Sequence, residues 1–531
     1  MESAVKYVAA LNVDAKLVKC YICALFRDSS RTEIVGTAQN HIKFVYPASG
    51  RIEIDPNKLW NNIIRTVKAA LGEANLTAGQ IAFLALATHR GSFTCWNQTT
   101  GKVYHNFITA QDTRCKEMVK ECNDDFMFKS FKASSCLLHC ATKRQRYLSE
   151  SVFDVKSSHV TMRLAWMLEN CPKIQKDLQE GNVLFGTIDA WLLYRFRHGA
   201  RYNKDLEHIS DVTNCAVTGF YDSFSLQWAK WASMLYPIEK NILPNVVDNS
   251  FDFGSIDASI FGSAIKIGTS ISDTSAALWG TCCFEKTSLY LKIDNETVLS
   301  IMTGSSCLGS NHGLASLVGY KYTNPVSELE EIVYVLEKTC NDCAAVIDWA
   351  LKIGLFKDIL SASTMASAVP DSNGVVFVPA FSVSRPRDMT DGSCFIGIKK
   401  TTRTEHMVRA VLESLVYKIS LMYVCAHKET QSQSMENFTK IKIDGYVSQN
   451  DFVCQTIADL ISIPVERGSS ADATALGAIF LAGVNMGVWS TKNEIRRIRK
   501  VDKVFTPNPV NKLKLLRNMR YWEEAVERFK R

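Results

Sequence analysis

The sequence predicts an α/β protein, because short apolar runs typical of strands alternate along the chain with amphipathic segments typical of helices. The length is a second observation. A chain of 531 residues is long enough for about two to four domains, each with its own apolar core. A third is that polar residues follow several of the apolar runs. Ligands of open α/β sheets bind beyond the carboxyl ends of strands, so we expect a site built from strand ends.

The first predicted elements lie in the N-terminal part of the chain. Two extended runs occupy residues 5–26 and are interrupted at residues 12–14. A helix follows, in which Asp55 can cap the first turn and apolar side chains recur at helical spacing. The next apolar run, residues 81–87, is typical of a buried strand and leads to Arg90.

A second series of elements follows in the C-terminal part of the chain. In order, these are a strand over 264–271, a helix from Asp273 to 279, a hairpin of 289–293 with 297–302, a helix over 409–424, a strand over 441–444, a helix over 450–460 and a helix near 521–528. The segment from residue 492 onward is basic, and we interpret it as a solvated surface.

The net charge and the cysteine content limit the classes of protein to which this chain can belong. The formal net charge of +7 is mild for this length and does not indicate nucleic-acid binding. The 17 cysteines are scattered, and the first residues lack the basic and apolar regions of a secretory signal. We therefore expect reduced thiols in a cytoplasmic protein. No apolar run is long enough to span a bilayer, so no transmembrane segment is expected.

Several longer motifs carry a family resemblance. They are Phe-Gly-Thr-Ile-Asp-Ala-Trp-Leu-Leu-Tyr at 185–194, Arg-Ala-Val-Leu-Glu-Ser at 409–414, and Thr-Ala-Leu-Gly-Ala at 474–478. With these motifs in family order over nearly its whole length, the chain resembles the FGGY carbohydrate kinases, particularly the glycerol kinases and the divergent glycerol kinase 5 group. The motifs are packing segments, so they indicate ancestry and fold and leave activity open.

The resemblance implies two ribonuclease-H-like (actin-like ATPase) domains with an interdomain cleft. Residues 1–281 would form the polyol side and residues 282–531 the nucleotide side. Such a kinase moves the γ-phosphate of ATP onto a hydroxyl, and it needs a base, a metal and cations or amides along the phosphates. The implied cofactors are therefore ATP and Mg²⁺, and the implied substrate is glycerol or a related small polyol.

The resemblance places substrate and catalytic roles on three residues. Asp273 falls at the family's catalytic aspartate, although by its residue type alone it could simply cap the following helix. Thr274 stands where the family has a substrate-contacting glutamine. Arg90 matches the family's substrate arginine, with a surface arginine as the alternative. The family's neighbouring glutamate is Gly91 here, and its tryptophan wall is Ala110, so a larger substrate would also fit.

The first phosphate loop of the family has changed. Asn12 replaces the metal-associated aspartate, and Mg²⁺ sites prefer carboxylates, so Asn12 is a weak metal ligand. Asp14 replaces the glycine that lets the backbone approach a phosphate. Lys16 and Lys19 could supply positive charge instead. We predict Asn12, Lys16 and Lys19 as nucleotide-binding residues.

The second phosphate loop has lost both of its glycines. The family's Gly-Thr-Gly-Thr/Ser is Asp294, Asn295, Glu296 and Thr297 in this chain. The two carboxylates would repel a phosphate, whereas Asp-Asn suits a tight hairpin turn. Asn295 and Thr297 remain candidate nucleotide contacts.

The adenosine site of the family is partly retained. Gly445 and Asn450 match it, and both are predicted nucleotide-binding residues. Tyr446 replaces the second glycine and would either block the adenine slot or stack on the base. Asn450 could equally cap a helix.

Two classes of function remain open. The first is an ATP-dependent phosphotransferase that makes glycerol 3-phosphate and ADP from glycerol and ATP. The second is a catalytically inactive paralogue (a pseudokinase) that binds a metabolite or another protein, because the changes concentrate on nucleotide contacts. Association with mitochondria and a homodimer are also compatible with the resemblance.

Overall fold

The computed structural model describes residues 5–26, 31–199, 206–230, 238–294, 296–379, 392–470 and 472–529. Two large mixed β-sheets with helices between and around them form the body of these residues, which confirms the predicted α/β class. Within the described ranges, no helix is both long enough and apolar enough to cross a membrane.

Six strands form the first sheet, called here the N-terminal sheet. Their order across the sheet is Ser255–Ile256, Ile265–Ser272, Ile81–Thr88, Val5–Val13, Leu17–Phe26 and Thr32–His41. The second, third and fourth of these strands are parallel, with Val13 and Ser272 both paired to Thr88. The carboxyl ends of the three strands therefore meet at one edge, which brings Asp14, Arg90 and Asp273 together.

Seven strands form the second sheet, called here the C-terminal sheet. Their order is Ala315–Thr323, Glu330–Cys340, Thr297–Gly304, Ser288–Ile293, Lys440–Asp444, Val465–Gly468 and Val501–Phe505. The predicted hairpin is the antiparallel pair of the third and fourth strands. Ser288–Ile293 is also parallel to Lys440–Asp444, so Lys292 lies beside Asp444.

The remaining strands build smaller sheets. A five-stranded sheet contains Phe44–Val45, Glu53–Ile54, Phe107–Ile108, Phe93–Asn97 and Val183–Thr187. Three strand pairs are Ile209–Asp211 with Asn245–Val247, Tyr221–Asp222 with Gln227–Trp228, and Val376–Val378 with Cys394–Ile396.

The described α-helices are Pro56–Glu73, Lys116–Asp124, Phe126–Thr142, Gln145–Val152, Val160–Asn170, Pro172–Gln179, Ile188–His198, Val212–Cys215, Ala258–Phe261, Asp273–Gly280, Asp342–Lys352, Ile359–Ser367, Thr404–Ser432, Asp451–Ile461, Ala473–Asn485, Lys492–Ile498 and Pro509–Phe529. Asp55 caps the first of them, as predicted, by accepting hydrogen bonds from the amides of Asn57 and Lys58.

Two predicted boundaries are wrong. The interruption in residues 5–26 falls after Val13, because Asn12 and Val13 still pair with the neighbouring strand. The helix expected over 409–424 extends over Thr404–Ser432, because its outer turns bury fewer apolar side chains than its middle and give a weaker periodic signal.

The two sheets are joined through a close contact between helices Asp273–Gly280 and Ala473–Asn485. A Cβ atom added to Gly477 would lie 1.7 Å from the carbonyl oxygen of Ala276, and one added to Gly280 would lie 1.9 Å from that of Ala473. Only glycine permits this approach. The contact explains the Thr-Ala-Leu-Gly-Ala motif as packing that holds the two sheets against each other.

Candidate functional site

A cleft of about 490 Å³ opens where strand ends of the two sheets face each other. Its charged lining residues are Asp14, Lys16, Lys19, Asp273, Lys292, Asp294, Asp348, Asp444 and Asp472. Carboxylates thus outnumber lysines two to one. A nucleotide phosphate entering this cleft meets more negative than positive charge unless a cation accompanies it.

Asp273 is the first residue of its helix and directly follows strand Ile265–Ser272. The interpretation of Asp273 as the helix cap is wrong, because Ser272 occupies the cap position. Asp273 Oδ1 accepts a hydrogen bond from the Thr274 amide at 2.7 Å. Its Oδ2 accepts one at 2.8 Å from the Nζ of Lys292, which lies on the C-terminal sheet.

The Asp273–Lys292 pair bridges the two sheets and is almost fully buried. Burial alone would raise the pKa of Asp273, but the positive charges of Lys292 and Arg90 outweigh it and hold this pKa at about 2. Burial would likewise lower the pKa of Lys292, yet Asp273 raises it well above its usual value. The carboxylate and the ammonium therefore both stay charged at neutral pH.

Arg90 follows strand Ile81–Thr88 and reaches across to the C-terminal sheet. Its Nη1 and Nη2 donate to the two carboxylate oxygens of Glu337 at 3.0 and 2.8 Å, in the bidentate geometry typical of strong pairs. Its side chain also lies 3.8 Å from the carboxylate of Glu296 and 3.9 Å from that of Asp273. The predicted substrate arginine is therefore near the predicted base, but its guanidinium is held by Glu337.

Thr274, the third predicted substrate residue, is buried against Asp273. Its hydroxyl donates to Asp273 Oδ1 at 3.4 Å, a long hydrogen bond. Thr474 donates to the backbone carbonyl of Asp273 at 3.3 Å. Thr274 and Thr474 lie on the two helices that pack between the sheets, so both helices contribute to the position of Asp273.

Asn12 and Lys19 both reach a residue that was not predicted, Asp472. Asn12 Nδ2 lies 3.3 Å from each Asp472 oxygen, and Lys19 Nζ lies 3.1 Å from Oδ2. Lys19 is also 3.6 Å from Asp14. Burial would lower the pKa of Lys19, but Asp472 and Asp14 raise it. The positive charge of Lys19 is therefore largely neutralised by carboxylates of the cleft.

Lys16 makes a similar internal pair at the cleft entrance. Its Nζ donates to Asp348 on helix Asp342–Lys352, and both side chains are partly exposed. An exposed pair contributes little stability and exchanges readily. Lys16 is therefore the cleft lysine best placed to turn toward a ligand.

The second phosphate loop is the turn of the hairpin in the C-terminal sheet. Asp294 lies at the cleft, where burial and then repulsion from Asp14 raise its pKa. Asn295 lies outside the described residues. Thr297 begins the next strand and is fully buried between Ile293 and Cys340. Its predicted contact with a nucleotide would need the hairpin to move.

Gly445 and Tyr446 form the cleft wall after strand Lys440–Asp444. Gly445 has a φ of +95°, and an added Cβ would lie 2.5 Å from the carbonyl oxygen of Ile293. Glycine is therefore needed for packing against the hairpin. Tyr446 is 41% exposed and lines the cleft, where its ring can stack on a base.

Asn450 caps helix Asp451–Ile461, as the alternative interpretation predicted. Its Oδ1 accepts from the Val453 amide at 2.9 Å, and its Nδ2 donates to the carbonyl of Ile359 at 3.0 Å. The side chain is fully buried with both ends of its amide engaged. A nucleotide contact for Asn450 stays a prediction, and it would compete with these two bonds.

The side-chain oxygens of the cleft could bind a metal ion only if phosphate oxygens complete the coordination of that ion. No three Asp, Glu, His or Cys side chains in the described ranges are arranged to hold a metal themselves. Kinase Mg²⁺ commonly uses one or two carboxylates together with phosphate oxygens and water. Asn12 Oδ1 is buried without a hydrogen-bond partner in the part of the chain described, and Asp14 lines the same cleft. These two residues suit a Mg²⁺ ion that arrives bound to a nucleotide.

Four partners in the site were missed from the sequence: Lys292, Glu337, Asp348 and Asp472. The first three are each a single charged residue on an otherwise ordinary strand or helix, so no local pattern marks them. Asp472 alone carries a signal, because an aspartate directly before a helix is typical of a cap, and it does accept from the Ala475 amide.

Comparison with known proteins places this geometry in a family. The N-terminal domain model of the FGGY family of carbohydrate kinases matches residues 22–280, and the C-terminal domain model matches residues 297–486. Glycerol kinase 5 of Mus musculus is 34% identical over 525 residues, which cover 98% of this chain and 94% of that protein.

Two solved structures share the fold. A crystal structure of Plasmodium falciparum glycerol kinase with ADP has a TM-score of 0.81 at 22% identity, covering 99% of this chain and 98% of that one. A ligand-bound xylulose kinase from Lactobacillus acidophilus has a TM-score of 0.74 at 16% identity, covering 99% and 98%. The predicted two-domain, actin-like architecture is confirmed, whereas the boundary at residues 281 and 282 stays a prediction.

Proposed function

Because the chain belongs to the FGGY family of carbohydrate kinases, we propose that it transfers the γ-phosphate of ATP to a hydroxyl of a small polyol. Glycerol is the first candidate, with glycerol 3-phosphate and ADP as products. The observation that carries the proposal is Asp273, which lies at a strand end in the cleft with its carboxylate ionised and Lys292 and Arg90 beside it.

In the proposed reaction, Asp273 accepts a hydrogen bond from the attacking hydroxyl and then takes its proton. A bond forms between that oxygen and the γ-phosphorus, while the bond from phosphorus to the β–γ bridging oxygen breaks. With a pKa of about 2, Asp273 is a weak base. It therefore orients the hydroxyl and receives the proton late, which suits the loose transition state of phosphoryl transfer.

Lysines of the cleft supply the positive charge that the proposed reaction needs, because both phosphate loops have lost the family's glycines. Lys292 places a fixed positive charge beside the reacting centre, where it stabilises charge on the transferring group. Lys16 turns from Asp348 toward the phosphates. When bound, Mg²⁺ would neutralise phosphate charge, with Asn12 and Asp14 as its protein ligands.

A second candidate function is a catalytically inactive paralogue that binds a metabolite or protein. The observation favouring it is that Arg90, Lys19 and Lys16 are all paired with carboxylates of the chain itself. Positive charges that would contact ligands in an active kinase are engaged internally. The cytoplasmic location, the association with mitochondria, the homodimer and the lack of nucleic-acid binding stay predictions.

Titration calorimetry with Mg-ATP, with and without glycerol, followed by an assay of glycerol-dependent ADP release, tests the proposed function. Millimolar or tighter binding together with ADP release supports the kinase. Nucleotide binding without ADP release, or no binding at all, supports the inactive paralogue. Other polyols extend the same assay, since Ala110 enlarges the substrate site.

Restoring glycines at Asp294 and Glu296 is expected to tighten Mg-ATP binding. Each carboxylate removed deletes a repulsion of about 1 kcal/mol in water, so the double variant should bind Mg-ATP about thirtyfold more tightly. Calorimetry on Asp294→Gly/Glu296→Gly measures this. The matched control is Asp294→Asn/Glu296→Gln, which removes charge without freeing the backbone. Unchanged or weaker binding in both variants contradicts the account of this loop.

Nucleotide binding is expected to strengthen as the pH falls from 7.5 to 5.5. Burial raises the pKa of Asp444 to about 6, so over this interval Asp444 takes up a proton and the cleft loses one negative charge. Removing a repulsion of about 1 kcal/mol strengthens binding about fivefold. Calorimetry with ADP at both pH values measures the change. Phosphate groups also titrate here, so the informative comparison is Asp444→Asn, in which the pH dependence should be smaller; an identical dependence contradicts the role of Asp444.

A further inference from the structure

A second cavity, of about 320 Å³, adjoins the cleft at the 445–449 turn. We call it the Arg499 cavity. Its wall includes Arg467, Gly468, Ser469, Ser470, Arg499 and Lys500, and it shares Asp444, Gly445 and Gln449 with the cleft. Three strands, Lys440–Asp444, Val465–Gly468 and Val501–Phe505, lie side by side beneath it.

Arg499 is the distinctive residue of this cavity. Its side chain is only 7% exposed, and its Nη1 pairs with Glu466. Its Nε and Nη2 are buried and have no hydrogen-bond acceptor among the residues described. Proteins leave few such groups unpaired, and an unpaired one calls for an explanation such as an ordered water or a bound ion.

The unpaired edge of this guanidinium lies against the strand end that borders the cavity. A Cβ atom added to Gly468 would be 3.6 Å from Nη2 and 3.9 Å from Nε of Arg499. Gly468 therefore places no side chain against these two buried donors at the wall of the cavity. Two parallel N–H groups of one guanidinium are suited to bidentate binding of a phosphate or carboxylate.

The other charges around the cavity leave Arg499 available. Asp502 accepts from Arg467 Nε at 2.8 Å and lies 2.7 Å from its Nη2, so its carboxylate is already paired. Asp444 is the other carboxylate in the wall, and Lys500 adds an exposed positive charge. Cations therefore outnumber carboxylates in the wall, which favours an anionic ligand.

One further feature suits an oxyanion, because the hydroxyl of Ser469 adds a hydrogen-bond donor to the wall. The volume exceeds that of a lone phosphate group, so a small organic substituent also fits.

We infer that the Arg499 cavity binds a phosphate group, either as inorganic phosphate or as a small phosphate monoester, through the Nε and Nη2 of Arg499. This site is separate from the proposed kinase cleft and does not depend on its activity. Since the two share the 445–449 turn, occupation of one is expected to change the conformation available to the other.

Phosphorus NMR and titration calorimetry of the full chain, with inorganic phosphate and with ethyl phosphate as separate probes, test this site. The main variant is Glu466→Gln/Arg499→Gln, which removes the guanidinium and its partner together and so leaves no unpaired buried charge. Loss of a bidentate charge-assisted contact should weaken binding at least about tenfold. Glu466→Gln alone keeps Arg499 and should bind as tightly as the unaltered protein or more tightly.

Two matched controls locate the anion. Arg497→Gln removes an exposed arginine two residues away and should leave binding unchanged. Lys16→Gln changes the cleft and should also leave phosphate binding unchanged. The inference is overturned if phosphate does not bind at millimolar concentration, if the Glu466/Arg499 double variant binds normally, or if Lys16→Gln removes binding. Tighter binding of ethyl phosphate than of inorganic phosphate would identify a monoester as the preferred ligand.

Discussion

Replacing Asp273 with asparagine is expected to lower glycerol-dependent ADP release by about 10²–10⁴, the usual contribution of a general base. The side chain keeps its shape but can no longer take the proton of the attacking hydroxyl. The same change should lower the free energy of unfolding by about 3 kcal/mol, because Lys292 loses its buried carboxylate partner. An inactive variant alone would therefore not separate catalysis from folding.

A double-mutant cycle with Lys292→Met makes that separation. Lys292→Met alone leaves Asp273 unpaired and should also cost about 3 kcal/mol of unfolding free energy. The double variant Asp273→Asn/Lys292→Met buries no unpaired charge, so its stability should return to within about 1 kcal/mol of the original protein. Its ADP release should nevertheless stay at or below the level of Asp273→Asn, because the variant also lacks the positive charge of Lys292.

Denaturant unfolding and the ADP assay measure the two quantities on the same four proteins. Recovery of activity in the double variant would show that Asp273 acts only through the stability of the bridge between the sheets. Additive losses of stability in the double variant would show that Asp273 and Lys292 do not act as a pair.

Replacing Glu337 with glutamine is expected to have the second-largest effect. Among the described residues, the change leaves Arg90 with the more distant carboxylates of Glu296 and Asp273, at 3.8 and 3.9 Å. We expect a loss of about 3 kcal/mol in unfolding free energy, as for other buried pairs broken on one side. The double variant Arg90→Met/Glu337→Met should recover most of that loss.

The same substitution tests whether Arg90 binds substrate. If Arg90 must leave Glu337 to contact a polyol, Glu337→Gln should tighten glycerol binding about tenfold, because one charge-assisted interaction no longer competes. Calorimetry with glycerol measures this, and Arg114→Gln serves as a control for a buried arginine pair outside the cleft. Unchanged glycerol affinity would assign Arg90 to the bridge between the sheets alone.

Both predictions rest on one property of the cleft: its charged side chains pair across the two sheets. In this arrangement the residues that could contact ligands also hold the sheets together. A ligand that binds in the cleft must therefore replace some of these pairs, and binding is linked to the relative position of the sheets.

The sequence by itself determined the central strands of both sheets, several of the helices and the polar residues that follow them, whereas outer strands such as 32–41, 315–323, 330–340 and 501–505 were not predicted. Strand 81–87, the 289–293 and 297–302 hairpin and the Asn450 cap follow from periodicity and residue type over a few neighbouring positions. The family could also be predicted from the sequence, because its motifs occur in the same order along this chain. Packing segments such as the one around Gly477 tolerate little change.

Only the tertiary structure decided which charges pair. Asn12 meets Asp472 across 460 positions of sequence, and Arg90 meets Glu337 across 247. No local pattern predicts such partners, since a single charged residue on a strand is the same in sequence whether it faces solvent or a cleft. The packing of helices Asp273–Gly280 and Ala473–Asn485 brings the two strand edges together, and this contact makes Lys292 and Glu337 parts of the site.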